Sequence, residues 1–142
     1  MLKNKIKIKK TIIYLGIFGT VLFFLLFIAT CILIGHSTRE NCNSAQSKYE
    51  GDCVEALIQV LEDQKNPYRL RNSAIWSLDQ FGDSRALPAL ETFYTGNIPD
   101  RESLDAGISQ YELKKAINLT RGGFNISSVI WRNKFIINNS NY

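Results

Sequence analysis

The stretch from Thr11 to Gly35, TIIYLGIFGTVLFFLLFIATCILIG, holds 25 residues without one charged side chain. About 20 apolar residues let a helix cross the hydrocarbon core of a bilayer, so this run is long enough to span with some tilt. A cleaved secretory signal fits poorly, because its apolar region is about 7–15 residues long and ends in small residues at a cut site. Ile28-Ala29-Thr30-Cys31 imitates a lipidation box only weakly, since Ile32, Leu33 and Ile34 carry the apolar run past the supposed cut. The sequence therefore predicts an uncleaved anchor over 11–35. Lys3, Lys5, Lys7, Lys9 and Lys10 precede it and only Arg39 follows closely. Positive charge flanking a span resists translocation, which predicts a cytoplasmic basic tail over 1–10, a cell-membrane location, and everything after His36 outside the cytoplasm.

The anchor also corrects the charge balance. The whole chain is at +4, but without the amino-terminal lysines twelve Lys and Arg face thirteen Asp and Glu. That leaves no basic patch to argue for nucleic acid. About 107 residues follow the span, enough for one small domain. Residues 36–51 are polar and lack helical periodicity, so they read as a linker leading into a domain over 52–137, with 138–142 a flexible tail. Cys42 and Cys53 stand eleven positions apart. On the oxidising side of a membrane they can close a disulfide worth about 3 kcal/mol in the chain-entropy model; the alternative is two unpaired thiols. Cys31, inside the apolar run, reads as a small apolar residue.

From Val54 the pattern is helical. Val54, Leu57, Ile58 and Leu61 recur at i, i+3, i+4 and i+7, and Lys65-Asn66-Pro67 ends the helix. The next helix, Tyr68 to Phe81, puts Leu70, Ala74, Leu78 and Phe81 on one arc, with Gly82 as its stop and Asp83 as the cap of its successor. A third, from about Ser84 to Tyr94, contains Pro88, so it either begins near Leu87 or bends there. Ser109-Gln110-Tyr111-Glu112 has the form of a capping box, with Ile108 and Leu113 as the staple, and predicts a helix that Gly122-Gly123 stops. A helical turn over 101–106 is expected before it. Phe124 to Trp131 is too apolar for water yet fits no clean period; it reads either as a cap over the open end of the helices or, given Trp131 beside Arg132 and Lys134, as a docking patch for another protein or the lipid headgroups. The fold class is thus all-α: an N-terminal transmembrane helix and a small stack of four to five helices.

The segment from Arg71 to Leu90, RNSAIWSLDQFGDSRALPAL, resembles a HEAT repeat, in particular the short HEAT-like type first associated with phycobilisome (PBS) lyases. In that type an arginine precedes an alanine-rich helix ending in Ala-Leu-Gly-x-Ile-Gly-Asp, and Arg-Ala-Leu-Pro-Ala-Leu opens the next. Arg71, Ala74, Leu78, Phe81, Gly82, Asp83 and the run Arg85 to Leu90 take the corresponding places, whereas Ser77 and Asp79 replace the usual alanine and glycine. The resemblance covers about residues 54–94. It implies stacked helical hairpins serving as a binding surface, and because one hairpin cannot bury its apolar face alone, the downstream helices must cover it.

Catalytic chemistry finds no support in the residues. His36 is the single histidine, and three cysteines, one within the apolar run, cannot build a closed zinc site with it. No P-loop, dinucleotide fingerprint or nucleophile elbow is present. Glu50, Asp52, Glu55, Glu62 and Asp63 read as solvated faces rather than cation ligands, so no metal and no cofactor are expected. Asn118, Asn125 and Asn138 open formal glycosylation sequons, a pattern an Asn-rich chain meets often by chance. Trp76 falls on the side of its helix away from the expected core arc. With Tyr68 and Arg69 it is a candidate partner surface, as are Trp131 and Arg132; the competing reading packs Trp76 against the amino-terminal helix of the domain or against Phe124 to Trp131. Arg71 and Arg85 are expected to pair with Asp83 or Asp79. The functional expectation is a non-enzymatic, membrane-anchored protein-binding scaffold. Its rivals are an accessory subunit or distant relative of a HEAT-type lyase or other membrane enzyme, and a homo-oligomer that covers its own stack ends.

Overall fold

The computed structural model describes residues 2–132, which form six α-helices, and no strand occurs among them. The expected tail 138–142 and the domain end expected at 137 lie outside the described residues. The first helix, α1, runs unbroken from Leu2–Gln46, and it is the one helix among the described residues long and apolar enough to cross a membrane. Residues 36–46, expected as an irregular linker, are thus its last three turns. Cys31, Gly35, Thr38, Cys42 and Ala45 are buried and follow one another at alternating spacings of four and three, the repeat that keeps one stripe of a helix facing its partners. These side chains are small, so the stripe is nearly silent in hydropathy. The domain begins on α1, because Cys42 and Ala45 belong to the same core as the later helices.

Helix α2, Cys53–Glu62, opens with a capping box in which Asp52 accepts from the Glu55 N–H and Glu55 reaches back to the Asp52 N–H. It buries Val54, Leu57, Val60 and Leu61 against α3, Tyr68–Phe81. Gly82 ends α3 at φ 57°, the left-handed conformation glycine adopts without penalty. The Asp83 carboxylate then caps a 3-10 turn, Ser84–Ala86, and α4 starts at Leu87 (Leu87–Phe93), so Pro88 sits in its first turn and no bend is needed. A turn over 103–106, rather than a helix, leads to α5, Gln110–Thr120. Ser109 caps α5 as expected, accepting from the Glu112 N–H at 3.1 Å. The reciprocal arm is different, since Glu112 pairs with Lys115 and the Ser109 N–H donates to Asn72.

Ile126–Arg132 forms α6, which packs on α1. Asn125 starts it: its Oδ1 accepts from the backbone N–H groups of Ser127 and Ser128. The N–H caps α6 lacks within its own turn are thereby satisfied by the residue that opens a formal sequon.

Helix α3 is the centre of the domain. It touches α2, α1 and α5, so its buried residues spread round the axis and include Arg71, Asn72, Ser77, Asp79 and Gln80 as well as Ala74, Ile75 and Leu78. The single arc expected for it is accordingly too narrow. Leu70 is 37% exposed at the edge, whereas Ile75 is fully buried. Polar burial is matched by specific bonds. Arg71 donates from Nε to the Leu61 carbonyl at 2.7 Å and lies over the rings of Phe93 and Tyr68. It therefore satisfies the last turn of α2 instead of pairing with Asp79 or Asp83. Asn72 bonds the carbonyls of Leu104 and Gly107 and fastens the loop before α5.

Candidate functional site

Arg69, Asn72, Ser73 and Trp76 recur along one face of α3 at helical spacing, and together with Leu104 and Glu112 they line an open groove of about 300 Å³ between α3 and the α5 end. Trp76 is half-buried there. It stands outside the buried core cluster, and the groove keeps part of its indole open to solvent. The flanks are charged: Arg69 lies 3.8 Å from Asp105, and Glu112 bonds Lys115 at 3.0 Å. Tyr68 is 42% exposed one residue away, with Arg71 against its ring. An aromatic floor, an aliphatic wall and a polar rim make a surface suited to a side chain of a partner protein. The structure thus brings Trp76 and Arg69 together and leaves Tyr68 beside them.

Trp131 has a different place. It is 3% exposed, edge-on to Phe81 at 5.6 Å between ring centroids, and its Cβ is so near Gly35 that a Cβ there would come within 3.0 Å. This corrects its expected role as a docking residue, because a closed interior residue cannot present its face to a partner. The reason is the long α1: the helix supplies a wall for α6 that a separate linker would not. Its indole N–H meets no acceptor among the described residues. Arg132 lies over the Trp131 ring and donates to Ser128 Oγ at 2.7 Å; burial lowers its pKa from the usual arginine value.

Trp131 and Arg132 wall a second cleft, of about 260 Å³, which Phe81, Asp52, Asp83 and Arg85 also line. Arg85 holds this corner. Its guanidinium bonds Asp83 at 2.9 Å and Asp52 at 2.6 Å, with Glu55 at 3.6 Å. The Arg85 bond keeps Asp83 below the usual carboxylate range, and at Asp52 the bonds from the Glu55 N–H and from Arg85 outweigh the opposing effect of burial. Three of the acidic residues noted in the sequence are thus occupied: Asp52 and Glu55 cap α2, and Asp63 accepts from the Tyr49 hydroxyl and the Lys65 N–H. His36 lies 3.6 Å from Glu40, one turn on along α1. Beside the cleft, Cys42 and Cys53 meet with Cα atoms 5.2 Å apart and their sulfurs at bonding distance.

Asp79, expected from the sequence only as a departure from the HEAT pattern and as a partner of Arg71 or Arg85, faces Lys115 and Gln80 instead and is the one strongly perturbed carboxyl among the described residues. It is 1% exposed between α3 and α5; Oδ2 accepts from the Gln80 amide at 3.1 Å, Lys115 stands 3.9 Å away, and Oδ1 has no partner among the described residues. Burial raises its pKa to about 6, assisted by the Glu112 charge and opposed by Lys115.

The order of these elements, an arginine-headed helix, a Gly-Asp corner and a proline-bearing short helix, decides the comparison with known proteins. Residues 70–94 match the PBS lyase HEAT-like repeat. Comparison with curated proteins and with solved structures returns no match. The HEAT-like match takes in Trp76, the Asp83–Arg85 corner and α4, but neither α1 nor α6. A HEAT-like unit suggests an interaction scaffold, and its fold alone carries no chemistry.

Proposed function

We propose that this chain is a single-pass membrane protein whose HEAT-like helical domain lies outside the cytoplasm and binds a partner protein through the Trp76 groove, without catalysing a reaction. The observation that carries the reading is the half-open indole of Trp76 between Arg69, Leu104 and Glu112, on a helix otherwise covered on three sides. Support for the anchor comes from the uncharged run 11–35 and the five lysines before it. The reading is tested by chemical cross-linking of the full chain in its own membranes. Trp76→Ala should lose the heterologous cross-link while keeping native helicity and thermal stability. Cross-links unchanged in Trp76→Ala would refute the groove as the binding surface, and a cross-link only to a second copy of this chain would make it a self-association face.

A further inference from the structure

The far side of α6 is apolar and uncovered. Ser128 and Trp131 turn inward, whereas Ile126 and Val129 are 54% and 45% exposed; Ile130, one turn beyond Ile126, is half-buried at the margin of the outer face. Phe124, just before the helix, is 79% exposed. The position of this face is fixed by contacts at three levels. Asn41 of α1 bonds Ser77 of α3, and Trp131 of α6 touches Gly35, six residues back at the end of the apolar run. Gly82, which ends α3, lies beside the Leu119 carbonyl near the end of α5 and beside Arg132. The ends of α3 and α5, the 121–125 loop and α6 thus gather at one end of the domain, level with the last turn of the apolar run, where Ile32 and Leu33 are also exposed. Charge follows the same pattern: from Leu113 to the end of the chain there are five Lys or Arg and no Asp or Glu. Arg121 is bonded to Glu91, but Arg132 has no carboxylate within ion-pair distance among the described residues.

We infer that this end of the domain is a membrane-contact surface: Phe124, Ile126, Val129 and Ile130 enter the interface of an anionic bilayer, and Arg132 meets its phosphates. This rests on the reading of α1 as a span. The occupant is lipid, because the apolar face continues the apolar wall of α1 at the depth where that wall reaches the headgroups. An amphipathic face with cations at its margin binds anionic bilayers by this combination of burial and charge. The domain then sits on the bilayer rather than standing off it, and the Trp76 groove is held at a fixed height above the headgroups.

The test places the photoreactive residue p-benzoylphenylalanine, one position at a time, in the full chain reconstituted into phosphatidylcholine–phosphatidylglycerol vesicles, and reads lipid adducts by mass spectrometry. The positions are Phe24, within the run; Phe124 and Val129; and Tyr111, which is 55% exposed but about 14 Å up α5 from its end, at 1.5 Å per residue. Lipid adducts are expected at 24, 124 and 129 and are expected to be lost at 111. Adducts at 24 with none at 124 and 129 overturn the contact surface while leaving the anchor intact; absence at 24 overturns the anchor and the contact surface with it. Adducts at 111 equal to those at 124, or cross-links from 124 to a second copy of the chain, also overturn it, the latter by showing that protein covers this face.

Discussion

Replacing Asp79 by asparagine removes a charge that the folded state holds at a cost. The carboxyl is 1% exposed, one oxygen is without a partner among the described residues, and burial lifts its pKa from 3.8 to about 6. The folded state therefore binds the proton more tightly than the unfolded chain. Above pH 6 both states are ionised, and folding bears the full penalty, about 3 kcal/mol at 1.36 kcal/mol per pKa unit. As pH falls through 6 toward 3.8 the penalty disappears, because both states become protonated. Asp79→Asn should accordingly stabilise the domain at pH 7.5 by about 1–3 kcal/mol, the lower figure allowing for desolvation of the new amide and for the lost attraction to Lys115. The gain should shrink steadily as pH falls from 6.5 to 4. Urea unfolding of full-length protein in a mild detergent, followed by tryptophan fluorescence across that range, measures the difference between variant and wild type. Taking the difference cancels Asp52 and Asp83, whose lowered pKa values give the opposite slope, stability lost as pH falls. A variant less stable than wild type at pH 7.5, or a difference independent of pH, would refute the reasoning.

Trp131→Ala should cost about 3–5 kcal/mol, since the residue is closed between Phe81 and Gly35; a variant of wild-type stability in the same urea titration would return Trp131 to the surface. Gly35→Leu places a side chain where Trp131 lies 3.0 Å from a Cβ, and limited proteolysis should then cut near α6 sooner than in wild type, an effect absent if the helices do not meet. If Cys42 and Cys53 are bonded in the mature protein, alkylation without reduction leaves both unlabelled, and Cys53→Ser loses about 3 kcal/mol; full labelling before reduction removes the bond from the account. Protease added outside intact cells should reach the domain, and protection until lysis would reverse the proposed topology.

Much of the domain was legible because its signals are local and apolar. Val54, Leu57 and Leu61 announce α2, Gly82 with Asp83 marks the corner, and Pro88 allowed a start of α4 near Leu87 or a bend, of which the structure takes the first. What escaped is carried by small or two-sided residues. Thr38, Cys42 and Ala45 give 36–46 almost no apolar periodicity, yet their size is what lets neighbouring helices approach α1. Helix α6 shows no clean period because one face packs on α1 and the other, through Ile126 and Val129, is apolar as well. Asn125 as its cap was the readable sign. At the groove, Trp76 was singled out by its phase on α3 and Arg69 by its place at the start of that helix, but Leu104 and Glu112 come from segments far along the chain, so only the fold joins them. Arg71 misled because its partner is the Leu61 backbone carbonyl, which no side-chain pattern records.

An unbroken α1 turns the amino-terminal segment into a shaft rather than a tether. Each residue inserted into a helix rotates the downstream chain by about 100° and advances it by about 1.5 Å. The compass direction of the Trp76 groove around the helix axis is thus set by the phase of the stripe Cys31, Gly35, Thr38, Cys42 and Ala45. One residue added between Gly35 and Cys42 would swing the groove by more than a quarter turn or else tear α6 from its seat. Neighbours arrayed side by side with this chain would meet a domain that already faces them or faces away, as an attachment through a loose cord would never ensure.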